Sequence, residues 1–114
     1  MKLIKQLISV AELTKMARET YGHLVKAVVD VGREIMAIDG EMHADEEQWL
    51  LENGSKQTDL WGINLYPEKF GSPGFVEFDS IINLRPSQNN FSRAVDDKKI
   101  AAKIKQIVNK LVKS

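Results

Sequence analysis

The chain has no cysteine, two histidines, three prolines and no apolar run near the roughly 18 residues that a membrane-spanning helix requires. Without cysteine there are no disulfides and no zinc–thiolate centres, a composition that fits a reducing cytosol. Two histidines alone leave a tetrahedral zinc site short of ligands, so no metal and no cofactor is expected. Neither sign of charge is in excess. Sixteen Lys and Arg balance sixteen Asp and Glu, which argues against a protein whose main task is coating nucleic acid. At the N-terminus, Met1-Lys-Leu-Ile-Lys-Gln breaks its apolar stretch with lysine and lacks a small-residue cleavage site, so it does not read as a signal peptide.

What is present is one domain's worth of chain: 114 residues, 43% hydrophobic and 28% charged. We expect a single cytoplasmic domain over 1–114 with a real core. The zero net charge is a sum of unequal parts. Residues 1–22 carry +2, residues 23–53 carry −6, residues 54–86 carry −1 and residues 87–114 carry +5.

Helix signals come first. Ser9-Val-Ala-Glu12 is a capping box, and Val10, Leu13, Ala17, Tyr21 and Leu24 form a helical stripe, predicting a helix over 10–21 that Gly22 stops. Residues 2–8 before it read as a short edge strand at most. Leu24–Val31 is β-branched and bounded by glycines, a strand signal. Gly32-Arg33 fits a two-residue turn with glycine in its first central position, returning 34–38 with Met36 opposite Val29 and Ile38 opposite Ala27. Asp45 with Gln48 predicts a second helix over 45–53, stopped by Asn53-Gly54. Leu60–Tyr66 and Phe75–Arg85 read as two further strands. Asp96-Asp97 opens a last helix whose stripe is Ile100, Ile104, Ile107, Val108, Leu111 and Val112. The fold class is α+β: an antiparallel sheet of four strands, five with the N-terminal edge, and three helices in the order α-β-β-α-β-β-α, packed mainly on one face.

Three segments carry candidate chemistry. His43-Ala-Asp-Glu-Glu47 sets a histidine two residues before an aspartate, the makings of a general base; the plain alternative is an exposed entry turn whose acids serve the helix dipole. On the predicted strand 75–85, Glu77 and Asp79 project to one side roughly 6–7 Å apart, with Asn83 and Arg85 in the same row and Asn64 and Tyr66 on the neighbouring strand. Such a row does acid/base work, or it is a solvated face laced with ion pairs. Asn and Asp are normally depleted in strands, which favours a task for them.

The third segment, Arg85-Pro-Ser-Gln-Asn-Asn-Phe-Ser-Arg93, crowds Arg85, Gln88, Asn89, Asn90 and Arg93 around Phe91. Bidentate arginines clamp phosphate or carboxylate, although Asp96 and Asp97 would repel an anion from the helix start itself. The alternative is a polar connection that caps itself. The lysine-rich last helix invites a membrane or nucleic-acid reading, but its apolar stripe is more simply a core contact. Trp49, Trp61 and Met36 are core by default.

The motifs His-Ala-Asp-Glu-Glu, Leu-Trp-Gly-Ile-Asn-Leu-Tyr-Pro and Asp-Ser-Ile-Ile-Asn-Leu-Arg-Pro-Ser-Gln-Asn-Asn, taken together, resemble a small prokaryotic family of about this length, known as a domain of unknown function. The resemblance covers about residues 1–112 and implies a single-domain protein, with no activity to carry over.

The leading expectation is a binding module for a small polar or anionic ligand or partner, using the polar sheet face and the loop 85–93 through Asn64, Tyr66, Asn83, Arg85, Gln88, Asn89, Asn90 and Arg93. A hydrolase-type enzyme with His43, Glu77 and Asp79 as catalytic groups and Arg85 steadying charge is the alternative. RNA binding through the basic end is less favoured, and no membrane contact is expected.

Overall fold

The computed structural model describes residues 1–114. Ten elements follow in order: β1 (Lys2–Ile4), β2 (Ile8–Ser9), α1 (Val10–Glu19), β3 (Val25–Asp30), β4 (Ile35–Ile38), α2 (His43–Glu52), β5 (Leu60–Leu65), β6 (Val76–Glu77), α3 (Lys98–Leu111) and β7 (Val112–Lys113). Five strands make one antiparallel sheet in the order β1-β4-β3-β5-β6, and β2 with β7 forms a separate two-residue parallel pair that ties the N-terminal arm to the end of α3. The expected element order and the antiparallel sheet are present, and the N-terminal edge strand is the fifth strand. No helix is long and apolar enough to cross a membrane.

The hairpin register is the predicted one: Met36 pairs with Val29 and Ile38 with Ala27. Its turn differs. Positive φ falls on Glu34, at 56°, and not on Gly32. Asp30 organises the turn instead, its Oδ1 accepting the backbone N–H groups of Gly32 and Arg33 at 2.9 Å each. A Cβ at Gly32 would stand 2.6 Å from Asp59 Oδ2, the far end of a side chain that would have to turn aside.

Alternation divides the sheet into two unlike faces. Val25, Ala27, Val29, Met36, Ile38, Trp61, Ile63 and Leu65 meet Leu13 and Ala17 of α1 and Ile104, Ile107, Val108 and Leu111 of α3, one apolar core of 18 buried residues. The opposite face supplies only Val28, Ile35, Ala37 and Leu60 to a five-residue core completed by Leu50 of α2. Two helices thus cover one face and α2 covers the other, because α1 and α3 carry apolar stripes while the buried residues of α2 are His43, Glu46 and Leu50.

Boundaries move where side chains compete with the backbone. Helix α1 is capped as predicted, Ser9 Oγ accepting the Glu12 N–H at 3.1 Å, but ends at Glu19, and Tyr21 is exposed. Helix α2 starts at His43 with Met42 at the cap position, so Asp45 is inside the first turn and not the cap. The predicted strand 75–85 is the largest correction: only Val76–Glu77 pairs with β5, and the chain then leaves the sheet for 3-10 turns at Ile81–Asn83 and Pro86–Gln88. Glu77, Asp79, Asn83 and Arg85 therefore do not form one strand row. Ser80 and Asn83 are the cause, short polar side chains that bond to backbone and offer it an alternative to the ladder.

Candidate ligand-binding site

The segment from Ser80 to Asp97 is held by its own amides. The Asn83 side chain is fully buried and takes the place of a strand partner for β5: its Oδ1 accepts the Gly62 N–H at 2.8 Å and its Nδ2 donates to the Gly62 carbonyl at 2.9 Å. Nδ2 also donates to the Arg93 carbonyl at 2.9 Å. Asn90 works in the same way one layer out. Its Nδ2 donates to the carbonyls of Asn83 and Ala94, at 2.7 and 2.8 Å, while its Oδ1 accepts the Asp96 N–H at 2.8 Å. Arg85 and Asn90 exchange backbone hydrogen bonds at 2.9 and 3.1 Å, closing the loop at its base.

Both arginines of the motif are committed inside the chain. Arg85 is buried, donating through Nη1 to the Gln57 carbonyl and through Nη2 to the Leu60 carbonyl at 2.6 Å. Its guanidinium lies 4.1 Å from the centre of the Trp61 ring, a close cation–π stack. Burial lowers its pKa and the nearby Glu47 carboxylate opposes that shift. Arg93 Nε donates to Asp79 Oδ1 at 2.6 Å in an exposed ion pair. Gln88 Nε2 reaches the Thr58 carbonyl at 3.1 Å, and Asn89 sits exposed in the left-handed region at φ 58°.

Between this loop and the start of α3 lies a cavity of about 280 Å³, walled by Gln88, Asn89, Asn90, Asp96 and Asp97 with Trp61 among its lining residues. Trp61 is 2% exposed, and its indole Nε1–H has no partner in the chain. A buried donor left unpaired costs about 1–3 kcal/mol, so such groups call for an explanation. Both Asp96 oxygens are used, by Ser92 Oγ at 2.5 Å and the Phe91 N–H at 2.8 Å, whereas Asp97 caps α3 through Oδ1 alone. Trp61 is a core residue, as its type predicts. Nothing in its spacing marks the indole nitrogen as unpaired.

The acid/base residues gather elsewhere, on the sheet face under α2. Lys26, Asn64 and Glu77 form a lateral row across β3, β5 and β6. Asn64 Nδ2 donates to Glu77 Oε1 at 2.8 Å and to the Asp79 carbonyl at 3.3 Å, and the Tyr66 hydroxyl donates to the same Glu77 oxygen at 3.0 Å. Burial and that carboxylate both raise the Tyr66 pKa. His43 is not in an exposed turn: it is buried, with Nε2 donating to the Ile63 carbonyl at 2.7 Å. Burial holds its pKa below the ordinary value, that bond opposes the shift, and Lys26, Asp79 and Arg93 each act on it electrostatically. Arg85 makes no hydrogen bond to this group, and the carboxylate that acts on it is Glu47. The chain contains no group of three or more His, Asp or Glu side chains placed to hold a metal ion.

An α+β domain with a loop held in place by buried amides, beside a small cavity, is the class that fold and site define. The chain belongs to the family described as a protein of unknown function (DUF5674), whose model matches residues 2–111. No curated protein and no solved structure matches it.

Proposed function

We propose that the protein is a cytoplasmic binding module that holds a small, uncharged or cationic polar molecule in the cavity between the loop 85–93 and α3. The cavity wall carries this reading: Trp61, whose buried indole Nε1–H has no partner in the chain, lines it beside the amide groups of Gln88, Asn89 and Asn90. Asn89 has no side-chain bond of its own, and Asp97 keeps one carboxylate oxygen free, so the walls offer donors and acceptors together. A volume of about 280 Å³ suits a small metabolite. An anionic ligand fits this geometry less well: Arg85 and Arg93 are tied to backbone and to Asp79, and two aspartates line the walls. The cysteine-free composition supports the cytoplasmic location.

The test uses Trp49→Phe, which leaves Trp61 as the only tryptophan. This protein is titrated with a panel of small neutral, cationic and anionic metabolites, following melting temperature and indole emission together. At least one neutral or cationic compound is expected to raise the melting temperature and shift emission saturably. Asn89→Gly keeps the left-handed backbone, removes the side chain and should weaken that binding about tenfold. Hits confined to anions, or a hit bound equally well by Asn89→Gly, would overturn the proposal.

A further inference from the structure

Of the five cavities in the molecule, four have Asp or Glu among their lining residues. The remaining one, of about 360 Å³, has none, and its Lys105 is the only lysine that lines any cavity. Lys105 and Asn109 of α3 form one wall, and Gly71, Ser72, Pro73, Phe75 and Val76 form the other. Helix α3 contains no acidic residue, so nothing on its own wall neutralises that ammonium. Lys105 also belongs to none of the four ion pairs, and its Nζ lies 5.7 Å from the centre of the Phe78 ring. The Asn109 side chain and the Gly71 N–H make no hydrogen bond inside the chain, and a Cβ on Gly71 would meet nothing within 4 Å. Ser72 is engaged, its Oγ donating to the Lys69 carbonyl at 2.7 Å. Phe75, which belongs to the large core, and half-buried Val76 packed against that core make the far wall apolar.

We propose that this cavity binds a small organic carboxylate with an apolar body. The sign follows from the walls: an uncommitted ammonium makes its strongest hydrogen bonds to an anionic acceptor, and no carboxylate of the chain stands in the cavity to repel one. Lys105 and Asn109 are four residues apart on one helix, which sets their Cβ atoms about 5–6 Å from each other. The two oxygens of a single carboxylate can therefore meet both donors. The body of the ligand then covers Phe75 and Val76, in the mixed apolar and polar setting that small-molecule sites share. The anion expected at the loop 85–93 belongs here instead, because Arg85 and Arg93 are committed inside the chain whereas Lys105 is free.

Benzoate is the probe, titrated into the nitrogen-15-labelled full chain at fixed ionic strength while the amide chemical shifts are followed. Saturable shifts are expected at Gly71, Ser72, Val76, Lys105 and Asn109. Benzamide, the same body without the charge, and acetate, the same charge without the body, should each bind at least about tenfold more weakly. Lys105→Gln should weaken benzoate binding by about tenfold, while Asn89→Gly, in the other cavity, leaves it unchanged. Thermal melts of each variant establish that it is folded. The proposal is overturned by shifts that have not begun to saturate at about 20 mM benzoate, or by saturable shifts confined to other residues. Undiminished binding in Lys105→Gln, or benzamide binding as tightly as benzoate, would remove the role of charge. Acetate binding as tightly as benzoate would equally overturn it, since the apolar wall would then contribute nothing.

Discussion

Asn83 bonds both backbone polar groups of Gly62 with one side chain, at 2.8 and 2.9 Å, and so continues the sheet past the point where β6 stops. Strand β5 would otherwise expose an unpaired N–H and carbonyl in the interior. Asn83→Ala leaves both groups buried and unmet, at about 1–3 kcal/mol each, so a loss of roughly 2–5 kcal/mol in unfolding free energy is expected by urea titration. Asn83→Asp should cost at least as much, because a carboxylate has no N–H for the carbonyls of Gly62 and Arg93. A loss under about 0.5 kcal/mol in either variant would mean that the contact is dispensable.

Gly62 is the other half of this arrangement. A Cβ at that position would meet Ser80 Cβ and Oγ at 2.6 Å and His43 Cγ at 3.2 Å. Gly62→Ala should therefore destabilise by about 1–3 kcal/mol, the usual cost of overpacking. Ser80→Gly in the same chain should recover part of that loss. A double-mutant cycle on chemical denaturation checks it, and additivity of the two changes would show that Ser80 is not what the extra methyl strikes.

These two residues also show where sequence patterning stops being informative. The core halves of the fold were legible: the β-branched run before Gly32-Arg33 and the turn signal there predict the pairing of Met36 with Val29, and the 3.6-residue stripe of α3 identifies its buried face. The polar halves were not. Nothing in the spacing of Ser80, Asn83 and Asn90 distinguishes a side chain facing solvent from one that replaces a strand, because the bonds cross up to 21 residues. A glycine inside the strand run Leu60–Leu65 was the available signal, since such a glycine often marks close approach of another part of the chain. Asn83 and Asp79 within 75–85 bond inside the chain, Asn83 to Gly62 and Asp79 to Arg93, which the residue types alone do not reveal. His43 and Glu46 lie on the buried side of α2, where an apolar pair would be expected, so their burial could not be read from pattern.

The two arginines of the loop should respond very differently to substitution. Arg85 is buried with two backbone carbonyls and the Trp61 face as partners, and a lysine can reproduce neither the fork nor the stack. Arg85→Lys is expected to lose about 1–3 kcal/mol through unpaired carbonyls. Arg93→Ala breaks an ion pair between two half-exposed side chains, worth about 0–1 kcal/mol. Melting temperatures measured side by side decide the matter, and equal losses would contradict the burial that separates them.

Glu46 makes the clearest prediction about pH. Burial pushes its carboxyl up to about 9, with Asp39 and Asp45 adding to the rise while the Gly40 N–H and Lys26 oppose it. The folded protein therefore keeps this proton at neutral pH, whereas the unfolded chain loses it near 4.5. Because the folded state binds more protons, this group makes stability fall as pH rises from about 4.5 towards 9. His43 acts in the opposite sense, its lowered pKa making stability fall as pH drops below 6.5, so the window from 7 to 9 isolates Glu46. Glu46→Gln keeps the shape and the bond to Gly40 and removes the titration. It should melt higher than the wild type at pH 8 by more than about 4 °C, the shift expected for roughly 1 kcal/mol in a domain of this size. The gap should widen towards pH 9 and close towards pH 4.5. Parallel melting curves across that range would show that Glu46 ionises normally in the folded chain.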